Sequence, residues 1–241
     1  MRNRKGRLLI WAGCLLLFAA AALTGYNVLD EMRAAKSAEE AALGLETLVG
    51  IPKDVGNVLS AHVDISIPSL PDDETQTVSI TIPEQEMAEP DQIRTLPEIE
   101  IPDYILNPRM DMPVVRYEDQ DYIGLLEIPA LGLKLPVMSE WSYPRLKKAP
   151  CRYTGTAYLD NLVISAHNYE RHFGRLKELR EGSRVMFTDA DGNRFSYRVV
   201  LIETLMPTDI RDMTSGEFDL TLFTCTVGGK HRVTVRCDKM E

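Results

Sequence analysis

Residues 220–237 read LTLFTCTVGGKHRVTVRC. In an extended chain, successive side chains point to opposite faces. Leu220 and Leu222 therefore share one face, and Thr221, Phe223 and Cys225 share the other. In the run that follows, Val233 and Val235 form the apolar face, which leaves Arg232, Thr234 and Arg236 opposite. The connection TVGGK is short enough for a hairpin. If the leucines and valines fill a barrel, Cys225 and Arg232 emerge together on its outside.

Upstream, LVISAH (residues 162–167) has Leu162, Ile164 and Ala166 on one face and His167 on the other. A thiol, an imidazole and a guanidinium can thus meet in one groove. A thiol of ordinary pKa near 8.5 is about 3% thiolate at pH 7. An imidazole of pKa near 6.5 is about a quarter protonated there. A neighbouring cation such as Arg232 favours the thiolate, and it can also hydrogen-bond the oxyanion formed when a carbonyl is attacked.

The surrounding runs YIGLLEI, LKLPVM, SRVMFTD and RFSYRVVLIETL are short, rich in β-branched and aromatic residues, and separated by Gly, Pro, Asp or Asn. DADGN (189–193) marks a hairpin turn. RHFGRLKELREG, with Phe173, Leu176 and Leu179 in helical spacing, predicts one short helix ended by Gly182. Together these predict an all-β domain over 119–241: a closed β-barrel with one or two short helices.

The rest of the chain is unlike this domain. Arg2, Arg4, Lys5 and Arg7 form a basic tail over 1–7, followed by 8–29 without a charge. As a helix that stretch covers about 33 Å, enough to cross a bilayer, and the basic flank predicts a cytoplasmic N-terminus. The competing reading is a cleaved signal peptide, with AAAALTG near a cleavage point. Residues 30–49, rich in Ala, Glu and Leu, predict a juxtamembrane helix that lifts the chain from the surface. Residues 50–118 predict a Pro-rich acidic linker, because nine of the 14 prolines fall between Pro52 and Pro113. A lid formed by NPRMDMP (107–113) is the alternative for its last part.

A formal charge of −9 argues against a nucleic-acid partner. The four cysteines, at 14, 151, 225 and 237, show no metal-finger spacing, although an exported domain permits a Cys151–Cys237 disulfide. Nothing in the sequence calls for a cofactor or a metal. A zinc site from His167, Cys225, His231 and Cys237 fits no usual ligand spacing.

With LTLFTC, HRVTVR, ISAHNY and IPALGLKLPV in this order, residues 122–241 resemble the sortase family of cell-wall cysteine transpeptidases. The family's TLxTC motif is matched by Thr221, Leu222, Thr224 and Cys225. SAHNY and FTDADGNRFSYRV look more like class B or class D relatives than class A. The resemblance implies a closed sortase-type barrel that binds a C-terminal sorting signal, LPxTG-like or NPxTN-like, and cleaves it after threonine. It implies that Cys225 forms a thioester, His167 protonates the departing amine, Arg232 stabilises the oxyanion or positions substrate, and Thr224 shapes that site. The implied partners are surface proteins bearing the signal and an amine of a peptidoglycan precursor or a pilin. The implied location is the cell membrane, single-pass, with the catalytic domain outside. Two other readings use the same residues: a hydrolytic cysteine peptidase on this scaffold, and a non-catalytic surface-anchored β-barrel module.

Overall fold

The computed structural model describes residues 2–49, 53–54 and 101–240. Most of the predicted linker, 55–100, lies outside the described residues. One helix, α1 (Arg2–Val49), joins the apolar run to the Ala-rich stretch without a break. At about 1.5 Å per residue it is roughly 72 Å long. Side chains from Leu8 to Phe18 lie open, with no protein against them.

The second half of α1 does not stand away from the domain. Ala34, Ala38, Ala41, Ala42 and Leu45 recur at helical spacing and are buried on the barrel wall. Small side chains let the helix axis approach closely. Gly44 sits against the Tyr117 ring, where an added Cβ would collide with it. Lys134 and Glu46 form an ion pair at the far end of the contact.

A two-residue strand β1 (Lys53–Asp54), a short helix α2 (Asp103–Leu106) and β2 (Val115–Tyr117) precede the barrel. The barrel strands are β3 (Gln120–Ile128), β4 (Leu133–Met138), β5 (Cys151–Thr154), β6 (Leu162–Ser165), β7 (Arg184–Asp189), β8 (Asn193–Leu205), β9 (Leu220–Cys225) and β10 (Arg232–Lys239). Pairing runs β8–β10–β9–β6–β5–β4–β3, and β7 bonds both β3 and β8, so the sheet of eight strands closes. Closure leaves no free edge among these strands. Two further four-residue helices, α3 (Tyr143–Leu146) and α4 (Ile210–Met213), sit in connections.

Inside the barrel Leu162, Ile164, Leu220, Leu222 and Val235 join one apolar cluster, as the strand alternation predicts. The DADGN turn forms as expected. Asp189 Oδ1 accepts from the backbone N–H of Asp191 and of Asn193, and Gly192 takes φ 84°.

Two sequence expectations change, and a pairing the sequence left open does not form. Residues 173–179 bury Phe173, Leu176 and Leu179, yet only Leu176–Glu178 is helical, as a 3₁₀ turn. Gly174 packs on the carbonyls of Asn168 and Tyr169, and this close turn leaves no room for an α-helix to start earlier. Residues 101–118, read as linker, pack on the barrel: Tyr104 stacks on Tyr158 at 4.6 Å and Met112 is buried in the core. They close the end where β6 begins, opposite to Cys225, so 107–113 does not cover the groove. Cys151 and Cys237 are free thiols on strands three steps apart in the sheet, about 14 Å, beyond disulfide reach.

Candidate active site

The site is built at one end of the barrel by three neighbouring strands. β9 and β10 are antiparallel, and Cys225 is the register partner of Arg232. Register partners share a face, so the thiol and the guanidinium stem stand side by side. On the inner face beside them Thr224 pairs with Val233. The connection 226–231 is a tight hairpin. Thr226 and His231 exchange backbone and hydroxyl bonds, while Gly228 and Gly229 take φ 83° and 72°.

β6 runs parallel to β9, with Ser165 aligned to Phe223. The pairing continues one residue past the strand: Ala166 N donates to Phe223 O at 3.2 Å. Thr224 Oγ1, buried, donates to Ala166 O at 2.9 Å. Two residues beyond these aligned positions come His167 and Cys225. The seam therefore delivers imidazole and thiol to the same end of adjacent strands. Cys225, His167 and Arg232 are all partly exposed, so none is sealed in the core.

The imidazole is held by stacking. The Tyr169 ring lies 3.9 Å from the His167 ring at 17°. His167 Nδ1 is buried with no hydrogen-bond partner. Burial pushes the His167 pKa below its ordinary value, and the Lys147 ammonium pushes the same way; Asn168, Asp30 and Glu31 oppose them. The resting imidazole is thus biased toward its neutral form. Arg232 in this state donates through Nη1 to the carbonyls of Gly229 and His231, each at 3.1 Å. Its guanidinium is turned along the hairpin.

Arg236, on the same face of β10, is fully engaged elsewhere. It is 3% exposed, and Nε donates to Glu203 at 2.8 Å. Nη1 donates to Met213 O and Thr221 Oγ1, and Nη2 to Asp212 O at 2.7 Å. It ties the connection carrying α4 to the barrel wall and leaves Arg232 as the arginine next to Cys225. Between α4 and the wall, Val163, Met213 and Phe223 form a separate apolar cluster flanked by Tyr153 and Leu205. Trp141 meets Tyr153 edge-on, and Tyr153 meets Phe223 edge-on at 5.2 Å. This apolar track leads along the outer face toward Cys225.

No group of three or more metal-ligating side chains occurs among the described residues. The zinc combination fails on placement as well: Cys237 is wholly buried in the core cluster, while Cys225 lies on the outer face.

The family model described as "Sortase domain" matches residues 126–240. Residues 126–240 are thus similar to sortase domains. No curated protein matches the chain. Among solved structures, sortase C from Clostridium perfringens SM101 is 27% identical with a TM-score of 0.44, covering 60% of this chain and 78% of that one. Sortase A from Corynebacterium diphtheriae is 23% identical, TM-score 0.45, covering 51% and 62%. Sortase C1 of GBS Pilus Island 1 is 21% identical, TM-score 0.44, covering 50% of this chain. The chain spans 64% of the length of that last protein.

The sequence reading passed over two residues in contact with the candidate site: Tyr169, which stacks on His167, and Asp30, which accepts from Tyr169. Tyr169 stood inside the quoted ISAHNY stretch, and its aromatic ring two positions after the histidine was the available signal. Asp30 carried no signal, because its place beside Tyr169 depends on how α1 docks.

Proposed function

We propose that this protein is a membrane-anchored cysteine transpeptidase of sortase type. The single observation that carries the reading is the register pairing of Cys225 with Arg232 on the outer face, with the β6–β9 seam bringing His167 to the same end. An extended peptide lies along the apolar track formed by Val163, Met213 and Phe223. The Cys225 thiolate attacks the carbonyl carbon of the scissile residue, by family analogy threonine, and the C–S bond forms. His167 as imidazolium gives its proton to the amine nitrogen as the C–N bond breaks. Arg232 swings from the hairpin carbonyls to the oxyanion. An incoming amine, from a peptidoglycan precursor or a pilin, then attacks the thioester carbonyl; neutral His167 takes a proton from the amine nitrogen, the C–S bond breaks, and Cys225 leaves as thiolate as the new amide forms.

Thr224 acts from the inner face, through its bond to the Ala166 carbonyl, by holding the backbone that presents His167. Residues 1–7 stay in the cytoplasm, 8–29 cross the membrane and the sortase domain lies outside. The open apolar side chains of Leu8 to Phe18 support the span, and its unbroken continuation into a docked helix supports a retained anchor. Surface proteins with a C-terminal sorting signal are the substrates.

The test incubates the full chain in detergent with LPxTG-like and NPxTN-like peptides, with and without an amine acceptor. Mass spectrometry is expected to show peptide joined to amine, abolished in Cys225→Ala. Release of acid alone, unaffected by the amine, supports hydrolysis instead, and no product from any peptide supports a non-catalytic module.

A further inference from the structure

We propose that Asp30, the first charged residue after the apolar run of α1, is a positioning residue for His167, acting through Tyr169. The inference rests on the reading of His167 as the proton donor to the leaving amine.

Three contacts fasten the loop after β6 to α1. Tyr169 Oη donates to Asp30 Oδ2 at 2.7 Å. The Glu170 backbone N–H donates to Glu31 Oε1 at 2.6 Å. Lys147, from the connection between β4 and β5, lies 3.7 Å from the same Asp30 oxygen. Beneath the loop His172 is wholly buried, with the Ala34 backbone of α1 beside it. The helix thus covers and grips the segment 167–172.

The grip reaches His167 because Tyr169 stacks on its ring, with Asn168 as the other side chain that bonds it. Nδ1 makes no hydrogen bond, so the plane of the imidazole is set by the stack on Tyr169. Tyr169 in turn is fixed by its hydroxyl on Asp30. A ring that rotates freely about χ1 and χ2 would meet the amine nitrogen in only a fraction of its orientations. Stacking on a pinned tyrosine removes that loss.

Asp30 has a second, electrostatic effect. The groups that bear on His167 are Asp30 and Glu31 from α1, Lys147 from the β4–β5 connection, and Asn168, Tyr169 and His172 from its own loop, with Cys225 and Arg232 at the same end of β9 and β10. Burial and Lys147 disfavour the imidazolium, while Asp30 and Glu31 favour it. The carboxylate is well suited to this task, since the Tyr169 hydroxyl holds its pKa below the ordinary value and keeps it ionised. The helix that anchors the protein thereby supplies the acidic partner that the histidine lacks within the barrel.

The experiment uses the full chain in nanodiscs with isotope-labelled histidine rings and the peptide-plus-amine assay. Asp30→Asn keeps a hydrogen-bond acceptor and removes the charge, Tyr169→Phe keeps the stack and removes the hydroxyl, and Asp30→Glu is the rescue variant. Glu40→Gln, on an exposed part of α1, is the control. The expected result is that Asp30→Asn makes His167 titrate at lower pH and lowers kcat roughly 10-fold with KM for the peptide unchanged. Tyr169→Phe is expected to lower kcat with a smaller change in titration, and Asp30→Glu to recover most of both. Wild-type titration and kcat in both Asp30→Asn and Tyr169→Phe would overturn the proposal. So would a loss that appears only as a raised KM with the titration unmoved. Should the wild-type chain form no product at all, the reaction fails as a reading, and the ring titration alone still decides the contact.

Discussion

Cys225 and Arg232 are register partners on β9 and β10, yet the arginine's Nη1 is bonded to the carbonyls of Gly229 and His231. The thiol therefore rests without the guanidinium on it. Both bonds are to exposed carbonyls, which water can satisfy once the arginine leaves. A carbonyl becoming an oxyanion beside Cys225 is the stronger acceptor.

From this follows the behaviour of the arginine variants. Arg232→Ala is expected to lower kcat/KM on the order of 100-fold, and Arg232→Lys to recover little, because an ammonium cannot reproduce the planar fork. Steady-state kinetics with a sorting-signal peptide checks this. An Arg232→Ala protein as active as wild type would remove the residue from the mechanism.

Arg236 should fail in a different way. It is buried and bonded to Glu203, Thr221 and the carbonyls of Asp212 and Met213. Arg236→Ala leaves Glu203 unpaired and frees the α4 connection, which is expected to cost roughly 3 kcal/mol in urea unfolding. Because α4 closes the apolar track, a milder variant, Arg236→Lys, is expected to raise KM for the peptide more than it lowers kcat. Unchanged unfolding midpoints in both variants would contradict the bonding described.

Thr224 lends itself to a sharper distinction. Its hydroxyl is buried and faces the Ala166 carbonyl. Thr224→Ser keeps that bond and is expected to retain most activity, whereas Thr224→Val is expected to lose about 1 kcal/mol of stability and several-fold in kcat. A loss in Thr224→Ser with Thr224→Val unaffected would point to the methyl group, and so to packing, as what matters.

Acid should loosen the fold under α1. His172 is fully buried, with its ring against the Ala34 backbone of α1. Burial first, and then the neighbouring His167, push its pKa down to about 4 from 6.5. The folded state thus binds fewer protons than the unfolded chain between these values, and stability falls as pH drops through that window. The expected loss is on the order of 3 kcal/mol between pH 7 and pH 4, relieved in His172→Gln, as measured by urea unfolding at each pH. A His172→Gln protein with the wild-type acid slope would assign that slope to other groups.

Much of the site could be read directly from strand alternation. The even spacing of Leu220, Leu222, Val233 and Val235 fixed which side of the hairpin faces inward, so Cys225 and Arg232 fell on the outside together. What the alternation could not reveal is tertiary. The Ala34, Ala38, Ala41 and Leu45 stripe has a legible helical period, but not the surface it covers. The proline and acid content of 101–118 suggested an extended spacer, and the burial of Met112 and the stacking of Tyr104 override it locally. Arg232 and Arg236 look alike in sequence, but the α4 connection, Glu203 and Thr221 bury and bond the guanidinium of Arg236, whereas that of Arg232 bonds two exposed hairpin carbonyls.

The thiols separate in the same manner. Cys151 is buried, which pushes its pKa up to about 12, and Cys237 is raised further by deeper burial. Cys14 lies in the apolar part of α1. Of the barrel thiols only Cys225 is open to a substrate.

The most direct measurement is the intact mass of the full chain, quenched in acid seconds after mixing with a sorting-signal peptide and no amine, followed by mapping of the adduct. The account predicts an added mass equal to the acyl fragment, located on Cys225, discharged by hydroxylamine and absent from Cys225→Ala. A peptide cleaved at an undiminished rate by Cys225→Ala, or an acyl group mapped to another residue, would contradict it.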